Sequence, residues 1–171
     1  MALAFELVIN YGQNLAAAAE ACRVANTHPP LRAGKHEVSL HPSLLREVMA
    51  SDGGRYLEMS VLPVGVGYNV ALDRNKPRLS LTLEELNELG NGLYGLLSRF
   101  TGYLAAKVGW DPEPLIDLGD LRQEWLEELA DGALPGLVLA DEIRQSFPPS
   151  RGFEVFSAGF TWIPYEGERR G

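Results

Sequence analysis

The side chains best suited to bind a metal ion lie in one short part of the chain. All three histidines, His28, His36 and His41, fall within fourteen residues, and the single cysteine, Cys22, precedes them. Zinc sites use imidazole and thiolate ligands in closely spaced pairs. Here His36 and His41 differ by five positions, which would place them on opposite faces of an extended strand, and neither paired cysteines nor a His-x3-His motif is present. The spacing therefore predicts no metal site and no cofactor.

Motifs for covalent catalysis and nucleotide binding are also missing from the sequence. No Gly-x-Ser-x-Gly elbow is present, and Gly65-Val66-Gly67-Tyr68 lacks the third glycine of a dinucleotide-binding loop. Residues 111–120 lack the alternating acids and central glycine of a calcium loop. These observations argue against an enzyme, although a site assembled from scattered residues would leave no such motif. For that case the candidates are polar side chains of predicted strands, namely Glu6, Asn10, Tyr11 and Tyr68.

The negative charge of the chain is concentrated in one segment. The chain has 15 basic and 23 acidic residues, a net charge of -8. Residues 111–142 contain ten of the acids and only one basic residue, Arg122, so this segment carries -9 and the remainder +1. Nucleic-acid binding, which needs a basic surface, is therefore not predicted. An acidic surface instead favours association with a basic protein.

A helix from Asp117 or Asp120 to about Ala130 is predicted to present these acids to water. Its helical spacing aligns four apolar side chains on an inner face, Leu118, Leu121, Trp125 and Leu129. Acidic residues occupy the opposite face, as expected for an exposed amphipathic helix. The predicted partner-binding residues are Glu124, Glu127, Glu128, Asp131 and Asp117.

These patterns favour a small cytoplasmic binding module, such as an inhibitor or an immunity-type protein, that engages a basic protein partner. Two alternatives remain open. The chain could be a structural or assembly subunit whose acidic segment only keeps it dispersed, or a small-ligand-binding domain or enzyme with a site not visible in the sequence. Because Cys22 has no second cysteine to pair with, a reducing compartment is expected. No run of 18 apolar residues is present, so no membrane span is predicted.

A long amphipathic helix is predicted from Thr82 to Gly109. Thr82 and Glu85 have the spacing of a capping box, and apolar residues then recur every three or four positions as far as Val108. Such a helix would be about 40 Å long. The alternative is a break at Gly90-Asn91-Gly92 into two shorter helices. Three glycines spaced seven apart are expected to lie against neighbouring backbone, namely Gly95, Gly102 and Gly109.

The remaining patterns predict an α+β fold, a mostly antiparallel sheet with this long central helix and further helices packed on one side. One domain of residues 1–171 is expected, with residues 111–142 as an acidic helical segment. A three-stranded antiparallel meander is expected within Arg55–Thr82. The other predicted strands are Ala2–Tyr11, His36–Leu40 and Phe153–Ile163, and the other predicted helices are Asn14–Ala25, Pro42–Met49 and Leu137–Phe147. Trp162 is assigned to the core, and Tyr165 to either the core or a partner surface. Glu166–Gly171 is expected to fray.

Treatment with a strong chelator should leave the melting temperature unchanged, because no set of histidine or cysteine residues has usable ligand spacing. Thermal unfolding with and without the chelator measures this. A fall of several degrees that added zinc restores would contradict the prediction.

Overall fold

The computed structural model describes residues 1–168, in which nine β-strands and five α-helices are found. The strands are β1 (Phe5–Asn10), β2 (Leu31–Ala33), β3 (His36–Val38), β4 (Leu44–Met49), β5 (Arg55–Val61), β6 (Ala105–Trp110), β7 (Val138–Ala140), β8 (Glu154–Ser157) and β9 (Phe160–Trp162). The helices are α1 (Leu15–Asn26), α2 (Leu83–Leu97), α3 (Leu118–Glu124), α4 (Leu126–Ala130) and α5 (Asp141–Gln145). Single turns of 3-10 helix cover Ala71–Asp73 and Glu113–Ile116. The predicted α+β class is confirmed.

Seven of the strands form one antiparallel sheet in the order β4-β5-β1-β6-β7-β9-β8. Strands β2 and β3 form a separate hairpin. The first strand of the chain therefore lies inside the sheet, between β5 and β6. Within the described residues, no helix is long and apolar enough to cross a membrane.

Strand β1 is buried along its whole length and on both faces. Adjacent side chains of a strand point to opposite faces of the sheet. Accordingly, Leu7 belongs to an apolar cluster on one face and Val8 to a second cluster on the other. Glu6 and Asn10, which are candidates for a site of scattered polar residues, are buried, with exposed fractions of only 4% and 2%. The 3-10 turn Glu113–Ile116 covers their face of the sheet, and the Asn10 side-chain amide donates to the Ile116 carbonyl at 2.8 Å.

Helices cover both faces of the sheet, so the prediction that they pack on one side is wrong. Apolar residues of α1 and α2 join the cluster that contains Leu7. Leu121 of α3 and Leu129 of α4 join the cluster that contains Val8. A central strand with apolar residues at both odd and even positions needs a layer on each face to remove them from water.

The prediction of a long central helix from Thr82 to Gly109 is also wrong, because α2 ends at Leu97 and residues 105–110 form β6. Its start is as predicted: Thr82 and Glu85 exchange hydrogen bonds of 3.1 and 3.0 Å in a capping box. The chain turns at Gly102, whose φ of +77° is readily adopted only by glycine. The helix prediction failed at residues 105–110 because β6 is buried on both faces. Its apolar residues therefore fit the period of a helix as well as that of a strand. The alternative break at Gly90-Asn91-Gly92 is absent, since α2 runs through it.

Two predicted elements in the first half of the chain are replaced by others. The helix predicted for Pro42–Met49 is instead β4, because every residue from Leu44 to Met49 pairs with β5. The meander predicted for Arg55–Thr82 is wrong beyond β5. There the chain loops, and three residues at positive φ interrupt any strand, namely Gly65, Asn69 and Asn75.

Two predicted elements in the second half of the chain also differ from the structure. The helix predicted for Leu137–Phe147 begins as β7, and the acidic segment 111–142 is accordingly helical only in part. The strand predicted for Phe153–Ile163 is a hairpin of β8 and β9, with Gly159 at φ +87° in the turn.

The C-terminal segment closes one end of the apolar core. The rings of Trp162 and Tyr165 lie 5.1 and 5.0 Å from the ring of Tyr94, so both half-buried side chains pack against the core. The Glu168 amide donates to Asn87 Oδ1 at 2.7 Å. The expected fraying of Glu166–Gly171 therefore does not include Glu168, and residues 169–171 lie outside the described range.

Two of the three glycines that are spaced seven apart, Gly95 and Gly102, should respond in opposite ways to substitution by alanine. An added Cβ at Gly95, in the exposed face of α2, meets no atom within 4 Å, so Gly95→Ala should raise the free energy of unfolding by about 0.5–1 kcal/mol. At Gly102 the Cβ would lie 2.7 Å from the Cβ of Ala17. Because φ is also positive there, Gly102→Ala should lower stability by more than about 1 kcal/mol. Urea denaturation compares the variants, and the reverse order would contradict this packing.

Candidate functional site

The predicted acidic site is carried by two short helices, α3 and α4, that meet at Trp125. Leu121 and Leu129 are buried, with exposed fractions of 0% and 2%, and they anchor the helices on the sheet. Trp125 leaves helical geometry, with φ -123° and ψ 14°, so the predicted single helix is divided in two. The predicted inward face is nevertheless correct for both leucines.

Four of the five predicted site residues form what we call the acidic surface, namely Glu124, Glu127, Glu128 and Asp131. Glu124, Glu127 and Asp131 are exposed, and Glu128 is half-buried. Leu126 lies among them and is 40% exposed. The arrangement therefore combines several negative charges with one accessible apolar side chain.

The fifth predicted residue, Asp117, has a structural role in the fold. Its side chain is buried and caps α3 by accepting from the Asp120 amide at 3.2 Å. It also accepts from the Ser51 amide at 2.9 Å and from the Ser51 hydroxyl at 3.3 Å. These bonds tie the β4–β5 turn to the start of α3, so Asp117 holds the acidic helices in place and is not itself part of the acidic surface.

The carboxylates of the acidic surface have no neutralising partner in the described part of the chain. None of these four side-chain carboxylates takes part in a hydrogen bond or ion pair among residues 1–168. The one basic residue of the segment, Arg122, points elsewhere, since its guanidinium lies 4.9 Å from the Phe147 ring and donates to Ser146 Oγ at 3.4 Å. Four uncompensated charges on adjacent turns are able to attract a cationic group.

A second cluster of acids is buried beneath the 3-10 turn Glu113–Ile116. Glu6 of β1 is hydrogen-bonded to Glu113, and Glu58 of β5 is 2% exposed and paired with Arg46 at 3.0 Å. Burial raises the pKa of Glu6 strongly, and the negative charges of Glu113, Glu58 and Asp111 raise it further. Burial also raises the pKa of Glu58, although the Arg46 guanidinium opposes that change. Glu6 is therefore protonated at neutral pH and donates to Glu113.

Only part of this buried cluster could be found from the sequence. Glu6 lies inside the apolar run of β1, which is the usual signal of a buried charged group. Its partners come from residues 58 and 113, which the sheet and the 3-10 turn bring together.

The three histidines and Tyr68, which the sequence offers as further candidates, do not lie together in one site. His28 contacts its neighbour Pro29, His36 lies 3.5 Å from Glu85, and His41 is bound to Asp73 at 2.6 Å. Asp73 also accepts from the Gly65 amide, so the His41 contact holds the loop after β5. Among residues 1–168, no group of three or more histidine, cysteine or acidic residues is arranged to hold a metal ion. Tyr68 is exposed and carries the Arg78 guanidinium 3.8 Å above its ring.

Comparisons of the chain with protein-family models, with curated proteins and with solved structures found no match. The function must therefore be inferred from the geometry and charge of the chain itself.

Replacing Glu6 with glutamine should change how stability depends on pH. The folded state keeps a proton on Glu6 that the unfolded chain releases above its ordinary pKa of about 4.3. The stabilisation is therefore complete below that pH and is lost as the pH rises, by up to about 1.4 kcal/mol per pH unit for one proton. Glu6→Gln keeps a donor toward Glu113 but has no proton to lose, so its stability relative to wild type should grow with pH.

Urea denaturation of both proteins at pH 5, 7 and 9 measures this effect. Glu124→Gln, which removes an exposed acid, is the matched control and should retain the wild-type slope. Equal pH slopes for wild type and Glu6→Gln would show that Glu6 is ionised in the folded protein.

Proposed function

We propose that this protein is a small binding module that engages a basic protein partner through the acidic surface, in the manner of an inhibitor or an immunity-type protein. The observation that carries the proposal is the set of exposed carboxylates on α3 and α4 without an ion-pair partner in the described residues. The proposal also takes the cytoplasm as its compartment, which the lone cysteine supports.

The cost of the arrangement supports a role in binding. Glu127 in α4 and Asp131 at its C-cap are four positions apart, where like charges on a helix are destabilising by a few tenths of a kcal/mol. Glu124 and Glu128 add like charges on the two sides of Trp125. A basic partner removes this repulsion when it binds. Electrostatic attraction of this kind raises association rates and selects against acidic partners. Nucleic acid, which is itself polyanionic, is repelled by the same surface.

The surrounding structure supports a preorganised surface. Leu121 and Leu129 fix the two helices on the sheet, and Asp117 fixes the start of α3. A surface held in its binding geometry loses little conformational entropy on association. Leu126 adds an apolar contact at the centre of the charged residues, in the arrangement that interfaces commonly have, an apolar centre with a polar rim.

Charge reversal of the acidic surface should slow association and reduce its dependence on salt. The test variant replaces Glu124, Glu127 and Asp131 with lysine. The control variant makes the same change of net charge at exposed acids elsewhere, Glu37, Glu84 and Glu154. Both should fold, since exposed substitutions usually change stability by no more than about 0.5 kcal/mol each.

Immobilised wild type and both variants are used to capture proteins from the native host at low and moderate salt, and association rates are then measured with the purified captured protein. We expect a basic protein that wild type and the control variant capture, that moderate salt weakens, and that the reversed variant binds at least tenfold more slowly. Equal association rates for all three proteins would refute the role of the acidic surface.

A further inference from the structure

The loop between β5 and α2 borders a cavity of about 470 Å³. Nine residues line this cavity, and all of them lie within positions 65–78 of the loop. Ligand sites are commonly formed by loops that a rigid sheet holds in place, and cavities of this size accommodate small molecules. None of the lining residues belongs to the acidic surface, so the cavity is a separate feature of the chain.

Three of the lining residues are cationic, namely Arg74, Lys76 and Arg78, and their side chains are exposed. Among residues 1–168, the side chains of Arg74 and Lys76 take part in no hydrogen bond or ion pair. The Arg78 guanidinium lies 3.8 Å from the centre of the Tyr68 ring and donates to the Gly67 carbonyl at 3.4 Å. Neither contact neutralises its charge, so all three cations are free to pair with an anion.

The acid that lines the cavity, Asp73, is bound to other groups. Its Oδ1 accepts from the Gly65 amide at 2.9 Å and is bound to His41 Nε2 at 2.6 Å. Within the described residues no ion pair joins Asp73 to the three cations. Three positive charges therefore face one negative charge in a chain whose net charge is -8. Cations held close together repel one another, and a bound anion removes that repulsion.

Backbone hydrogen bonds hold the loop in this shape. The Leu79 amide donates to the Gly65 carbonyl at 2.8 Å, which joins the two sides of the loop, and the Lys76 amide donates to the Asp73 carbonyl at 2.8 Å. Gly65 has a φ of +77°, and an added Cβ would lie 2.6 Å from the Pro77 carbonyl oxygen. Glycine is therefore required where the two sides meet. A cavity fixed in this way loses little conformational entropy when a ligand binds.

We propose that this cavity binds a diphosphate group, either free pyrophosphate or the diphosphate end of a small organic molecule. A guanidinium group binds two phosphate oxygens at once, and a lysine ammonium adds a further positive charge. Two arginines and one lysine therefore suit a ligand with several negative charges on closely spaced oxygens. The site does not depend on the function proposed above, because it shares no residue with the acidic surface.

Inorganic pyrophosphate is the probe, and sulfate at equal ionic strength is the control for nonspecific attraction to positive charge. Titrations followed by two-dimensional NMR should show saturable pyrophosphate binding, with shifts at residues 65–79. Sulfate should bind at least tenfold more weakly, because it carries less charge and has no second phosphate group. Adenosine diphosphate distinguishes the two sources: tighter binding than pyrophosphate assigns an organic diphosphate, and equal or weaker binding assigns free pyrophosphate.

The double variant Arg74→Gln/Lys76→Gln removes two of the cations and keeps long polar side chains. The control variant Lys35→Gln/Arg99→Gln makes the same change of net charge at exposed residues outside the cavity. We expect the first variant to weaken pyrophosphate binding at least tenfold and the control to retain wild-type affinity. Absence of saturable binding, equal affinity for sulfate and pyrophosphate, or equal affinity of wild type and the first variant would overturn the proposal. None of these results would bear on the acidic surface.

Discussion

The pairing of β1 with β6 is the constraint on which the rest of the structure depends. All six residues of β1 are paired with β6 and are buried on both faces. One face then requires α1 and α2 as cover, and the other requires the 3-10 turn, α3 and α4. The position of the acidic surface follows from this second layer.

Burial of β1 on both faces has a cost at its polar residues. Asn10 is satisfied by the Ile116 carbonyl, and Glu6 is kept neutral by burial and shares a hydrogen bond with Glu113. Neutralising an acid is less costly than burying its charge. The 3-10 turn thus has two functions: it covers the sheet and it supplies the partners of both polar groups. Stability and the position of α3 are therefore coupled through the same turn.

Local signals were sufficient to predict several elements. The Asn14 cap of α1, the Thr82–Glu85 capping box and the buried leucines of α3 and α4 all depend on residues close in sequence. Predictions failed where pairing between distant segments decides the structure. Residues 105–110 became a strand because β1 pairs with them, and the sheet stacks the ring of Tyr103 on that of Phe160, more than fifty positions away. The exposed acids of α4 were predictable from helical spacing, whereas the burial of Asp117 required its bonds to Ser51.

Hydrogen exchange tests the central claim most directly, because it measures the stability of each backbone amide separately. If β1 and β6 form the centre of the sheet, amides of Glu6, Val8 and Lys107, which lie in the hydrogen-bonded pairs of these two strands, should exchange only through global unfolding. They should then be the slowest in the chain, with the edge strands β4 and β8 exchanging faster. Exchange of β6 amides as fast as those of β8 would contradict the account, because the layer that carries the acidic surface would then lack its rigid support.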